Sequence, residues 1–350
     1  MIVGGIPMLF GGGVALSKYL AVAHTTTPFV SVYPWSASGF GTIFADPATL
    51  SPGNARGVAF SPAGTEIAVA SDGALASAFI TAYPWSASGF GTKFANPATL
   101  PPNTGQGVAF SPAGTEIAVP HNASPFVTAY PWSSSGFGTK YANPATLPAS
   151  AGIQVAFSPA GTEIAVTHAT SPRITAYPWS ASGFGTKFAD PATLPAGNGQ
   201  GVAFSPAGTE IAVTHATSPF VTAYPWSASG FGTKFSNPVT LPTAVGTTNA
   251  IAFSPAGTEI VMGTGDALVY VATYAWSASG FGAKKANPSP TLTSDTSGIS
   301  FSSSGAQIAL ATDGTPFVRA YTWSSSGFGT IFSDPATLPT ATGQSVAFGK

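Results

Sequence analysis

The sequence predicts an all-β protein, a seven-bladed β-propeller with four antiparallel strands in each blade, and three observations predict it. A tryptophan recurs about every 47 residues and opens a copy of W-S-[AS]-S-G-F-G each time. A second phrase, V-A-F-S-P-A-G-T-E-I-A-V, recurs between the tryptophans. Short β-prone segments are separated by Gly, Pro and Ser, and no helical period competes with them. Four short strands in a repeat of this length are typical of a propeller blade.

One repeat unit shows the four strands in order. Residues 201–205 (G-V-A-F-S) form the first strand, and P-A-G-T makes a turn because Pro and Gly favour turns. Residues 210–213 (E-I-A-V) form the second strand, and a loop around 217–219 follows. F-V-T-A-Y-P-W alternates as the third strand, S-A-S-G turns, and F-G-T-K-F-A is expected to form the fourth strand. Asn-Pro or Asp-Pro then leads to the next unit.

The two ends of the sequence predict how the ring closes. Residues 345–348 (S-V-A-F) are a first strand with no blade after it, and residues 19–24 align with the second strand of other units. The C-terminal strand is therefore expected to join the first blade, which removes an exposed sheet edge. Residues 8–10 compete for that position, but their spacing to Leu20 is three residues too long. One domain over 1–350 is expected, with 1–13 as an apolar N-terminal extension.

Composition excludes several classes of protein. Of the 350 residues only 7% are charged and the net charge is −1, so clustered basic residues for nucleic-acid binding are missing. No cysteine is present, which excludes disulfides and thiolate metal sites. Residues 1–14 are apolar but have no basic residue before Lys18, so they give no clear signal peptide. No apolar run approaches the roughly 20 residues that a membrane span needs.

The phrase F-S-P-A-G-T-E-I-A-V resembles the F-S-P-D-G strand-turn-strand of WD-repeat propellers and of their bacterial relatives. Y-P-W-S falls where the tryptophan-aspartate pair of that family would lie. The sequence departs from the family after tryptophan, where Ser36, Ser86 and Ser133 replace the aspartate. Gly-Gln also replaces the Gly-His pair before the first strand, as at Gly105 and Gln106. The hydrogen-bond tetrad of true WD repeats is therefore not expected.

Residues that occur in most units are interpreted as structural, because an active site is one asymmetric constellation. A glutamate follows the glycine turn of five units, at Glu66, Glu116, Glu163, Glu210 and Glu259. A lysine occupies the outer fourth strand of five units, at Lys93, Lys140, Lys187, Lys234 and Lys284. Lysine on an outer strand discourages edge-to-edge association of sheets.

The tryptophans have two interpretations. One in each blade is expected to form a packing ring at the blade interfaces with its indole N–H satisfied. The alternative is a set of aromatic platforms for sugar rings, one in each blade. Exposed rings at the phenylalanines of S-G-F-G would favour the alternative. The seven tryptophans are Trp35, Trp85, Trp132, Trp179, Trp226, Trp276 and Trp323.

Polar residues near the end of the second strand are the candidate ligand-facing residues. They lie on the face formed by the loops after the second strand and the connections between blades, and they are His24, Asp72, His121, His168, His215, Asp266 and Asp313. The alternative for the histidines is a hydrogen-bonding role at strand ends. No metal is expected, because zinc ligands lie about 2.0–2.1 Å from the ion and equivalent positions on neighbouring blades are too far apart. No catalytic residue and no cofactor is predicted, since no unique Ser, His and Asp set is found.

The sequence-based prediction of function is a non-catalytic display or binding module, not an enzyme. The tandem W-S-x-S-G-F-G units resemble repeats of bacteriophage and environmental bacterial proteins, and this resemblance favours a virion decoration or host-attachment component, located in the virion or on an extracellular surface. Expected partners are other virion or surface proteins and glycans, without nucleic acid. One alternative is a lectin-like propeller with a glycan site in each blade. The other is a propeller hydrolase or lactonase, which requires unique carboxylates near the axis. The unique acids are scattered over three blades, at Asp72, Asp266, Asp295 and Asp313.

Overall fold

The chain forms a closed ring of seven four-stranded antiparallel sheets, which confirms the predicted seven-bladed β-propeller. A computed structural model describes residues 16–73, 78–242, 250–265 and 270–350. Strands and turns make up these residues, and no α-helix occurs among them. In the same ranges there is accordingly no helix long and apolar enough to cross a membrane.

The strands follow the repeat closely, and each blade contributes them in sequence order. Blades 1 to 3 contain β1 (Tyr19–His24), β2 (Val30–Ser36), β3 (Gly39–Phe40); β4 (Ala55–Phe60), β5 (Glu66–Ser71), β6 (Ile80–Ser86), β7 (Gly89–Phe90); and β8 (Ala109–Phe110), β9 (Glu116–Pro120), β10 (Val127–Ser133), β11 (Gly136–Phe137). Blades 4 and 5 contain β12 (Gly152–Phe157), β13 (Glu163–His168), β14 (Ile174–Ser180), β15 (Gly183–Phe184); and β16 (Gly199–Phe204), β17 (Glu210–His215), β18 (Val221–Ser227), β19 (Gly230–Phe231). Blades 6 and 7 contain β20 (Ile251–Phe253), β21 (Glu259–Gly263), β22 (Val271–Ser277), β23 (Gly280–Lys284); and β24 (Thr296–Phe301), β25 (Gln307–Thr312), β26 (Val318–Ser324), β27 (Gly327–Ile331). The last strand is β28 (Gly343–Gly349).

Ring closure is made by β28, which pairs antiparallel with β1 and completes blade 1. Leu20 lies opposite Phe348, and Val22 lies opposite Val346. The Phe348 ring packs edge-to-face on Trp35 at 5.2 Å between centroids. The predicted closure by the C-terminal strand is therefore confirmed. Residues 1–13, which include the competing segment 8–10, lie outside the described residues.

The fourth strand is shorter than the sequence predicts, and a proline in the third strand explains the difference. In blades 1 to 5 the fourth strand has two residues, and the residue before tryptophan in the third strand is a proline, as at Pro84. Proline has no N–H to donate to the neighbouring strand, so the ladder stops there. Blades 6 and 7 carry Ala275 and Thr322 instead, and their fourth strands, β23 and β27, extend to five residues.

The hydrophobic core lies between blades, where small side chains of one blade face large side chains of the next. Between blades 2 and 3, the buried Ala68 and Ala82 meet Ile117 and Trp132. The same pairing recurs around the ring, which gives seven similar core clusters. Burial of this apolar surface is the main stabilising contribution to the ring.

Each tryptophan is a packing residue at a blade interface. The Trp132 ring makes edge-to-face contacts with Phe94 of the preceding blade and with Phe110 and Phe137 of its own, at 4.9–5.3 Å between centroids. All seven tryptophans are 4–7% exposed, so they offer no open ring face to a sugar. Their indole N–H groups, expected to be satisfied, are buried and have no hydrogen-bond acceptor in the described chain.

Candidate functional site

The four histidines at the ends of the second strands are buried inside their blades. In each of these blades a hydroxyl seven residues later, on the third strand, lies 2.8–3.0 Å from the histidine Nε2: the pairs are His24–Ser31, His121–Thr128, His168–Thr175 and His215–Thr222. The histidines have no exposed surface. Burial is the largest cause that lowers the pKa of each from 6.5 to about 4. They are therefore neutral at pH 7. Within the blades they hydrogen-bond to the third strand.

We expect the buried histidines to make the protein less stable as the pH falls from about 6.5 to about 4. The unfolded chain takes up a proton at each histidine in this interval while the folded chain resists it, so protonation favours unfolding. Above about pH 7 this effect is absent because the histidines are neutral in both states. The measurement is the free energy of unfolding by urea at about pH 7 and about pH 5.

A matched variant isolates the histidine contribution from the acids that titrate nearby. Blade 2 carries Ser71 and Thr81 where blade 3 carries His121 and Thr128, so His121→Ser recreates a combination of residues that another blade already buries, with no hydrogen bond between the two side chains. The difference in unfolding free energy between the two pH values should be smaller for this variant than for the original chain. An equal difference would show that His121 does not titrate with the lowered pKa.

The first strands of the blades surround a narrow channel on the ring axis. A cavity of about 90 Å³ lies there, bounded by residues of five blades that include Gln154, Ser297 and Ser345. Neighbouring first strands approach closely, since a Cβ added to Gly57 would lie 2.8 Å from the Gly107 Cα. The channel therefore has room for several water molecules and not for a larger ligand. A larger ligand would have to bind outside the channel.

Two aspartates of blade 7 are joined through their backbones, and one of them bonds to a residue of the channel wall. Asp295 immediately precedes β24, and Asp313 immediately follows β25, where the Asp313 N–H donates to the Asp295 carbonyl at 3.0 Å. The Ser297 hydroxyl, in the channel wall, donates to Asp313 Oδ1 at 2.8 Å. Burial, and secondly the negative charge of Asp313, raise the pKa of Asp295 above its ordinary value. A half-buried carboxyl with a raised pKa beside a more exposed carboxylate is an arrangement typical of general acid–base sites.

An ion pair occupies the equivalent position in blade 2. Arg56 on β4 donates to Asp72 Oδ2 at 2.9 Å, and Asn54 Nδ2 lies 3.3 Å from the same oxygen. Asp72 follows β5 as Asp313 follows β25, so the pair lies on the face of the ring that also carries the blade 7 carboxylates. The side chains are 38% and 21% exposed, so the pair contributes little to stability. It does fix a guanidinium on this face.

The seven predicted ligand-facing residues are thus divided by the structure. The histidines lie within the blades, while Asp72 and Asp313 lie on the predicted face in blades 2 and 7. Asp266 lies outside the described residues. The first-strand residues Arg56 and Ser297 were missed, although each departs from the glutamine that blades 1, 3 and 5 carry at that position. In the described parts of the chain no three His, Asp or Glu residues are grouped as a metal site would require.

Solved structures of β-propellers match nearly the whole chain. A proposed 6-phosphogluconolactonase from Bacteroides uniformis has a TM-score of 0.74 and 14% identity, over 94% of this chain and 98% of that one. Another, from Bacteroides fragilis, has a TM-score of 0.75 and 12% identity, over 95% and 98%. A periplasmic gluconolactonase from Pseudomonas aeruginosa has a TM-score of 0.72 and 16% identity, over 95% and 99%. No protein-family model and no curated protein matches the sequence.

These comparisons correct the sequence-based prediction of function. The prediction of a non-catalytic virion display module that is not an enzyme is wrong, because these three matching structures carry lactonase names and favour the hydrolase alternative. The error arose because the repeated residues dominate the sequence and the few unrepeated acids appear scattered along it. The resemblance to WD repeats extends to the seven-bladed ring and no further. At 12–16% identity these structures show that the chain shares their β-propeller fold.

Proposed function

We propose that the protein is a hydrolase of cyclic esters, a lactonase, with its active site at the channel opening in blade 7. The observation that carries the proposal is the pair Asp295 and Asp313, linked to the channel wall through the Ser297 hydroxyl. The lactonase names of the structures that share the fold support the same reaction class.

Each residue of the site has a distinct role in the proposed reaction. Asp295 takes a proton from water, and the water oxygen bonds to the lactone carbonyl carbon. The ring C–O bond then breaks, and Asp295 returns the proton to the departing alkoxide, which yields a hydroxy acid. Burial and, secondly, the charge of Asp313 keep the pKa of Asp295 raised, so that the base works closer to neutral pH.

We assign Arg56 to binding an anionic or strongly polar group of the substrate. Its guanidinium lies on the same face of the ring and is partly exposed even while paired with Asp72. A planar guanidinium binds carboxylate and phosphate oxygens through two parallel N–H groups. Together with the gluconolactonase names of the matching structures, this arginine favours a hydroxylated δ-lactone as the substrate class, including one that carries a phosphate.

The test is hydrolysis of lactones by the purified chain at near-neutral pH, followed by titration of the acid released. Glucono-δ-lactone, its 6-phosphate and δ-valerolactone are compared, because they differ in hydroxyl groups and charge. We expect a rate proportional to protein concentration for the two sugar lactones, above their spontaneous hydrolysis. The control is the same chain kept unfolded in assay buffer that contains urea. A folded chain that accelerates none of the three lactones would refute the proposal.

A further inference from the structure

Four blades contain an internal ammonium site of the same construction. The lysine beyond the short fourth strand donates to the carbonyl of the next residue at 3.1–3.4 Å and to a side-chain oxygen three residues later. The lysines and the residues that supply the side-chain oxygen are Lys93 with Asn96, Lys140 with Asn143, Lys187 with Asp190, and Lys234 with Asn237. The repeat therefore defines a geometry in which two oxygens hold one ammonium group.

Blade 1 keeps the two oxygens and lacks the lysine. Ile43 stands at the lysine position, while Phe44 retains the backbone carbonyl and Asp46 supplies the side-chain oxygen. The closest template is blade 4, where the acceptor is also an aspartate and forms an ion pair with Lys187. Among the described residues Asp46 takes part in no salt bridge. A carboxylate and a carbonyl are thus arranged for an ammonium that the blade itself does not provide.

A cavity of about 500 Å³ lies at this position in blade 1, a volume that admits a small organic ligand. Its lining includes the apolar residues Ile43, Phe44 and Leu338 and the polar residues Asp46 and Ser31, of which Ser31 bonds to His24 through its hydroxyl. Apolar walls beside one carboxylate suit an aliphatic chain that ends in a positive charge.

We propose that blade 1 binds a primary alkylammonium group in this cavity, which we name the amine pocket (Ile43, Phe44, Asp46 and Leu338). The ammonium donates to the Asp46 carboxylate and to the Phe44 carbonyl, as the lysine does in blades 2 to 5. The alkyl chain lies against Ile43 and Leu338. The amine pocket is separate from the carboxylate pair of blade 7, so the proposal does not depend on the lactonase activity.

The test follows the backbone amide signals of Ala45 and Asp46 by NMR while amines are added to the intact protein. The probes are n-butylammonium, a free amine, and Nα-acetyl-lysine methylamide, which represents a lysine side chain in a peptide. Tetramethylammonium at equal ionic strength carries the same charge without an N–H donor. We expect saturable shifts with one or both primary amines and none with tetramethylammonium. Binding of only the lysine derivative would identify a peptide side chain as the natural source.

Two variants complete the test. Ile43→Lys restores the side chain that four other blades carry, so it should fold and should abolish the amine-induced shifts. Asp46→Asn keeps the acceptor oxygen without its charge and should weaken binding about tenfold. Equal shifts with tetramethylammonium, or undiminished amine binding by a folded Ile43→Lys variant, would overturn the proposal. So would the lack of any shift with both primary amines.

Discussion

Replacing Asp295 by asparagine is expected to lower kcat for lactone hydrolysis by about a hundredfold or more, because a general base contributes 10²–10⁴-fold to such reactions. Asparagine has nearly the same shape as aspartate, but it cannot accept a proton from water. The Asp295 backbone carbonyl still accepts from the Asp313 N–H, so the local fold should be retained. The measurement is kcat and KM for a sugar lactone, with unfolding by urea as a check on stability.

Asp313→Asn distinguishes the base from the residue that tunes it. The negative charge of Asp313 contributes to the raised pKa of Asp295, so its removal should lower that pKa toward the ordinary value. The acid limb of the pH–rate profile should consequently move to lower pH, and the rate near neutral pH should fall less than in Asp295→Asn. A role that is merely structural would reduce the rate without moving this limb.

The matched control for both variants is Asp190→Asn. It removes a carboxylate of the repeat in blade 4, where Asp190 pairs with Lys187 away from the channel residues. Its activity should equal that of the original chain, because blades 2, 3 and 5 already carry asparagine at this position. Full activity in Asp295→Asn would remove Asp295 from the mechanism.

Replacing Trp132 by alanine is expected to destabilise the protein by about 3 to 5 kcal/mol, as is usual when a buried tryptophan leaves a cavity. The ring is 5% exposed and contacts aromatic rings of two blades. Because core contacts cross the blade interfaces, the loss weakens the ring itself and not one sheet alone. The measurement is the free energy of unfolding by denaturant, with the m value checked for a change in cooperativity.

Trp132→Phe is the comparison that separates packing from hydrogen bonding. The indole N–H of Trp132 has no acceptor in the described chain, so phenylalanine removes a buried donor without breaking a bond. The decrease in the free energy of unfolding should be about half that of Trp132→Ala or less, because only the smaller size of the ring contributes to it. Equal losses for the two variants would contradict the interpretation of Trp132 as a packing residue.

The repeat made most of the architecture predictable. Strands and turns are set by local sequence, so a phrase such as F-S-P-A-G-T gives the same turn wherever it occurs. The predicted length of the fourth strand is wrong for blades 1 to 5, because that length depends on a residue of another strand. A proline before tryptophan ends the ladder in blades 1 to 5, while Ala275 and Thr322 allow it to continue.

The candidate site was less predictable, because it depends on which blade covers each polar residue. His121 was placed on the ligand face by its position at a strand end, yet the next blade and Thr128 enclose it. Asp295 and Asp313 are 18 residues apart, and each looks like an isolated acid in the sequence. They lie near each other because the start of a first strand pairs with the end of the second strand in an antiparallel blade.

The sequence by itself determined the seven blades, their strand order and the closure by β28. The blades follow from local patterns that recur, and the closure follows from a first strand that has no blade after it. Only the tertiary structure decided which departures from the repeat face solvent together. Burial and proximity depend on contacts between strands and blades that no single repeat contains. That is why the carboxylates of blade 7 and the amine pocket of blade 1 became visible only in the folded ring.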